Sequence, residues 1–110
     1  MNAYTYKAPK KPHKDFIPLA EEVCKQYKIS MVDFLSQTKY YEVVLARFHY
    51  WHIMYNTHLM GCTQIARECG KTHGAILNGL ERVEALFPAQ QRQFNIRNKA
   101  IKKALKIKSK

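Results

Sequence analysis

The sequence predicts an all-α protein: a single helix-turn-helix domain of about five to six helices with a basic arm at each end. Three observations carry this expectation. Apolar residues recur at three- and four-residue spacing through the centre of the chain, and candidate capping residues stand where those runs begin and end. No stretch alternates apolar and polar residues with the β-branched content of a strand. The 110 residues suffice for one domain with a modest core, plus tails, and show no internal repeat.

Taken in order, Asp15 to Tyr27 reads as a first helix, with Pro18 near its start and Leu19, Ala20, Val23 and Tyr27 at helical spacing. Ser30 followed by Asp33 resembles a capping box and opens a short second helix through Phe34 and Leu35. The longest helix is expected from about Tyr40 to His58. Val44, Phe48, Trp51, Tyr55 and Leu59 mark one face of it, flanked by Val43, Tyr50 and Met54. Gly61 breaks that pattern. A short helix from Thr63 to Glu68, anchored by Ile65 and Ala66, is expected to end at Gly70. The next begins at Thr72, a good N-cap, sends Ile76, Leu77, Leu80, Val83 and Phe87 to the core, and stops at Pro88. A last helix from Ala89 places Phe94, Ile101, Ala104 and Leu105 on one side and bases elsewhere.

Charge divides the chain differently. There are 19 Lys and Arg against 8 Asp and Glu, a formal net charge of +11. Every acid lies between Asp15 and Glu84, and purely basic segments flank that centre. The division predicted is a basic arm over 1–14, a helical domain over 15–88 with its helix-turn-helix at 62–87, and a basic helix or tail over 89–110. So large a one-signed excess implies a polyanionic partner. No apolar run approaches the roughly 18 residues a membrane span needs, and no apolar signal-peptide core opens the chain. Cys24, Cys62 and Cys69 are odd in number and lack a disulfide-framework spacing, which fits a reducing compartment. A cytoplasmic, nucleoid-associated protein is therefore expected, with no membrane partner.

The constellation that carries function is Thr63–Glu68, the turn Cys69-Gly70-Lys71, and the helix Thr72–Phe87. A short helix, a tight turn with glycine and a second helix with one solvent face is the helix-turn-helix arrangement. The apolar stripe of the second helix leaves Gly74, Ala75, Asn78 and Arg82 pointing outward. Small side chains at Gly74 and Ala75 permit close approach to base edges. Asn78 has the paired donor and acceptor that match adenine, and Arg82 suits a guanine or a phosphate. Lys71, Thr72, His73 and the helix N-terminus suit phosphate. In the basic end, Arg97, Lys99, Lys102 and Lys103 have no compensating acid, which favours phosphate contact over a merely solvated face.

Other chemistry is set aside. His49, His52, His58, Cys62, Cys69 and His73 lack the tight paired spacing of a zinc site, so core cysteines and partly exposed histidines are the better account. Cys69-Gly70-Lys71-Thr72 imitates the end of a P-loop, but Ile65 stands where its first glycine belongs and no strand precedes it. Nothing marks the pocket, orienting group or oxyanion site of a Cys–His nucleophile. Trp51 and the aromatics around it have the helical spacing of core packing rather than of base stacking. No catalytic residue, cofactor or metal is expected, and the protein is not read as an enzyme.

These residues resemble the carboxy-terminal DNA-binding domain of the bacterial chromosomal replication initiator DnaA, over about Cys24 to Phe87. Tyr27 to Leu35 is similar to that family's first connection, and Val43-Val44-Leu45-Ala46-Arg47 to the segment where it keeps an Ala-Arg or Pro-Arg pair. Gly61 to Ala66, Gly70, His73 to Leu77 and Arg82 to Leu86 follow the pattern of its helix-turn-helix, with the turn after Gly70 one residue shorter. Of the family's Asp-His-Thr-Thr-Val signature only His73 is identical, in Thr72-His73-Gly74-Ala75-Ile76. Tyr40, Tyr41 and Glu42 replace the basic residues ahead of Arg47. The resemblance implies a Trp-repressor-like fold, double-stranded DNA as partner, and a minor-groove position for Arg47. It also implies a stand-alone relative, of the kind a phage or other mobile element carries, with a changed target sequence. The expected function is sequence-preferring DNA binding in replication control or transcriptional regulation. Two alternatives stay open: an RNA-binding or sequence-indifferent nucleic-acid protein, and an adapter that targets replication or transcription proteins.

Overall fold

The first ordered helix forms because Pro18 and Lys28 bracket a run of apolar residues at helical spacing. A computed structural model describes residues 11–106; most of the amino-terminal arm, with Lys7 and Lys10, and the chain end with Lys108 and Lys110 lie outside the described residues. A single 3-10 turn, Lys14–Phe16, leads into α1 (Ile17–Tyr27), which buries Leu19, Ala20, Val23, Cys24 and Tyr27. Lys28 closes α1 in the left-handed conformation at φ 56°, its N–H bonded to the last carbonyls. The Ser30 hydroxyl then accepts from the Asp33 N–H at 3.0 Å and starts α2 (Met31–Leu35), as the Ser-x-x-Asp spacing predicts.

The long helix α3 (Tyr41–Asn56) corrects the expected face. Its buried residues are Val43, Leu45, Ala46, His49, Tyr50, Trp51, Ile53 and Met54, whereas Val44 and Phe48 are half-buried and Tyr55 and Leu59 exposed. The physical reason is its central position: α1, α2, α4 and α5 all pack on it, so no single stripe points inward. Leu59 instead lies beyond the helix, in left-handed backbone at φ 56° and 81% exposed.

Helix α4 (Cys62–Cys69) buries Ile65 and Ala66 and ends at Gly70, whose φ of 66° is the left-handed cap that glycine adopts without penalty. Helix α5 (His73–Glu84) is capped by the Thr72 hydroxyl, which accepts from the Ala75 N–H at 3.1 Å. Ile76 and Val83 face the core as expected, and Leu80 packs on it. Leu77 and Phe87 do not: they are 43% and 73% exposed. α5 stops at Glu84, three residues before Phe87, which already caps α6 (Pro88–Ala104). Pro88 thus opens the last helix as well as closing the run before it.

Two contacts knit the layers. Gly79 lies so close to α3 that a Cβ there would meet Phe48 and Trp51 at 2.7 Å. α6 packs across α1, burying Phe94 and Ile101, with Leu105 against the core and Ala104 exposed rather than inward. The basic helix is accordingly part of the folded body through Ala104. The described residues are all helix, turn and loop, with no strand.

Candidate nucleic-acid interface

The candidate surface begins at the turn between α4 and α5. Gly70 reverses the chain, the Lys71 N–H bonds back to the Ala66 carbonyl at 2.9 Å, and Thr72 starts the next helix. α4 and α5 pack on each other, and α5 packs on α3. This fixes which face of α5 remains open. His73, Gly74, Leu77, Asn78, Glu81 and Arg82 are all exposed, following the i, i+1, i+4, i+5 pattern of one helical face. Lys71 and Thr72 are exposed at its N-terminal end, and Ala75 is half-buried at its edge. Of the residues expected to read bases, Gly74, Asn78 and Arg82 therefore share an open surface.

Leu77 and Glu81 belong to that surface, although sequence reasoning assigns Leu77 to the core and Glu81 no role. A thymine methyl is a natural contact for an exposed apolar side chain, and a carboxylate accepts from a cytosine amino group. The signal that would have found them is the Gly79 contact: with Gly79 innermost, the buried stripe runs Ile76-Gly79-Leu80-Val83 and Leu77 turns outward. Gly74 contrasts with Gly79. A Cβ at Gly74 would meet nothing within 4 Å, so packing does not require glycine there.

Arg47 does not stand free. Its Nε donates to the Phe34 carbonyl at 2.9 Å, Nη1 to Thr38 at 2.8 Å, and Nη2 to Asp33 at 3.0 Å and Ser36 at 2.6 Å. A guanidinium fork is suited to this, since its donors reach four carbonyls around and beyond the end of α2 at once, of which Asp33 also accepts from the Ser36 N–H and hydroxyl. The side chain expected at a minor groove is occupied in clamping α2 to α3.

Arg97 is similarly engaged. Its guanidinium lies 4.2 Å from the centroid of the Tyr27 ring and 3.8 Å from the Glu42 carboxylate. Lys99 and Lys103 are exposed, and Lys102 is half-buried. Lys102 and Glu84 act on the half-buried His52 in opposite senses, Lys102 lowering its pKa and Glu84 raising it, while burial, the largest effect, lowers it. Lys99, Lys103 and Lys106, with Arg92, thus form the exposed cationic face of α6 and the turn beyond it, on which no acid occurs.

The histidines also depart from expectation. His49 is not partly exposed but fully buried. It stacks on Phe94 at 3.9 Å between centroids, its Nδ1 lies 2.6 Å from the Tyr27 hydroxyl, and its Nε2 lies 3.0 Å from Asn98 Oδ1. Since Asn98 Oδ1 accepts only, Nε2 carries the proton and Nδ1 accepts from Tyr27. Burial pushes the His49 pKa down to about 3, against the raising effect of the Asn98 bond. Cys24 is buried, with its thiol pushed up to about 11 chiefly by that burial, while Cys62 and Cys69 are half-buried. Among the described residues no three His, Cys, Asp or Glu side chains converge as a metal site would require. No described helix is long and apolar enough to cross a membrane.

Comparison with family models, with curated proteins and with solved structures finds no match for the chain.

Proposed function

We propose that this protein binds double-stranded DNA with a sequence preference, laying α5 in the major groove with α4 as the supporting helix of a helix-turn-helix. The observation that carries this reading is the open face of α5. It begins at a capped N-terminus beside Lys71 and holds His73, Gly74, Leu77, Asn78, Glu81 and Arg82, all exposed to solvent. Gly74 supports it further. It stands in the first turn of α5, and no close approach in the fold requires glycine there. A smooth surface for a base edge or sugar does.

In this reading Asn78, Arg82, Glu81 and Leu77 contact base edges, while Lys71, His73 and the α5 N-terminus hold a phosphate. The exposed bases of α6 supply the sequence-independent part of the affinity. The likeness of the α4–α5 sequence to the DnaA domain supports a role in replication control or transcriptional regulation, with a recognition sequence of its own.

The test is selection of bound duplexes from a random library at about 150 mM salt, where weak surface attraction is screened. An enriched motif is expected. Duplex binding with no enrichment would leave a sequence-indifferent nucleic-acid protein, and an absence of duplex binding would remove the proposal.

A further inference from the structure

At the corner where α3 and α6 begin, three aromatic side chains face solvent. Tyr40 is 76% exposed, Tyr41 55% and Phe87 73%, and none of them belongs to the core. One side chain, Gln90, links the Tyr41 hydroxyl to the backbone of Phe87. Gln90 accepts from the Phe87 N–H at 3.2 Å through Oε1 and donates from Nε2 to the Tyr41 hydroxyl at 2.8 Å. The Tyr41 ring is thus tethered through its hydroxyl to the residue that caps α6 beside Phe87, which joins the starts of α3 and α6 at this corner.

The charge around this corner narrows the partner. Lys39 precedes Tyr40 and Arg92 follows Phe87 on the first turns of α6, both exposed. Of the neighbouring acids, Glu42 is held 3.8 Å from Arg97, and Glu84, three residues before Phe87, acts on His52. Flat apolar faces in a cationic setting, on a chain of net charge +11, suit a polyanion that also presents flat apolar faces. A duplex hides its base faces inside the stack, whereas a single strand exposes them. We propose that Tyr40, Tyr41 and Phe87 form a stacking platform for the bases of single-stranded nucleic acid. The platform lies beyond the C-terminal end of α5, a helix about 18 Å long, away from the Thr72 end of the duplex-reading face; the three rings take no part in that reading, and Arg92 is the one residue common to both.

The experiment measures anisotropy of a labelled oligothymidylate of about 15 nucleotides, with inorganic polyphosphate as a base-free competitor and a duplex in parallel. Oligothymidylate binding should resist polyphosphate at matched charge. Tyr41→Ala and Phe87→Ala should each weaken it about tenfold, while Tyr41→Phe, which keeps the ring, retains it. Duplex affinity should not change. Displacement by polyphosphate charge for charge would overturn the platform, as would equal weakening by Tyr41→Phe and Tyr41→Ala or the same weakening on duplex. Failure of the variants to self-associate, where the unaltered protein does so without nucleic acid, would make the corner an interface between copies instead. Failure of duplex binding alone leaves the platform standing, so the two readings fail separately.

Discussion

Gly79 of α5 and Trp51 of α3 touch so closely that a methyl carbon on the glycine would sit 2.7 Å from the indole, with the Phe48 ring at the same distance. Alanine is the better helix former by about 1 kcal/mol, so an unhindered site would gain from Gly79→Ala. Here two aromatic rings must move, and overpacking of about 1–3 kcal/mol outweighs that gain. The expected result is a lower urea midpoint for Gly79→Ala and an unchanged or higher one for Gly74→Ala, whose added carbon meets nothing within 4 Å. A stabilised Gly79→Ala would show that the helices are not in contact there.

Buried His49 ties stability to pH. An unfolded imidazole titrates near 6.5, and burial pushes this one down to about 3 in the folded protein. Between those values the unfolded chain binds the extra proton. Stability is therefore complete above the unfolded value and falls as pH drops towards the folded one, by about 2 kcal/mol at ~pH 5. His52, also lowered by burial, acts in the same direction. His49→Gln should be less stable at neutral pH yet weaken less on acidification. Parallel pH profiles of the two urea midpoints would exclude His49 as the source.

Arg47→Lys should destabilise the fold by about 2 kcal/mol, since one ammonium cannot serve four carbonyls that a planar fork serves together. Chemical denaturation measures this directly. DNA affinity, corrected for the folded fraction, should stay at the wild-type value. A stable variant with weakened DNA binding would instead restore the minor-groove role.

Along α5 the substitutions separate by role. Thr72→Ala removes a cap and should cost about 1 kcal/mol of stability. Asn78→Ala and Arg82→Ala, at exposed positions, should leave stability within about 0.5 kcal/mol and weaken binding to the selected duplex by about 1–3 kcal/mol. Competition against unrelated duplex decides the assignment: a uniform decrease on all sequences would make both residues phosphate binders.

For α6, glutamine at Lys99, Lys103 and Lys106 is a cleaner test of charge than truncation, because Phe94, Asn98 and Ile101 on the same helix are packed inside. Every lysine that neutralises a phosphate should, once replaced, flatten the salt dependence of affinity by about 0.9 in the log–log slope. An unchanged slope would mean these lysines only keep the surface hydrated.

The helices are legible in the sequence because their ends are written in single residues: Ser30, Gly70, Thr72 and Pro88 each do what their chemistry suggests. Which way a helix faces is less so. α3 is apolar nearly all round, so a five-residue stripe chosen by periodicity does not identify its inward side, and Tyr55 and Leu59 are exposed. Leu77 and Phe87 escape sequence reasoning for a related reason. Hydrophobicity scores a leucine above a glycine, yet close helix packing puts Gly79 inside and rotates Leu77 out. Arg47 attracts attention by its charge and its likeness to a DNA-contacting position, while its partners are backbone carbonyls, which no side-chain pattern reveals. The outward set of Gly74, Asn78 and Arg82 is readable because it depends only on the phase of Ile76 and Val83.

The packing of α6 on α1 also bears on how the chain comes into being. Synthesis runs from the amino terminus, and the Tyr27–His49 pair emerges well before Phe94, Arg97 and Asn98. Until they arrive, the ring that will cover His49 and the oxygen that will accept its hydrogen bond are missing. The growing chain holds an imidazole whose final shelter has yet to be translated. Folding to completion therefore waits on the carboxy-terminal helix, and a ribosome stalled before α6 carries an unfinished core rather than a smaller working domain.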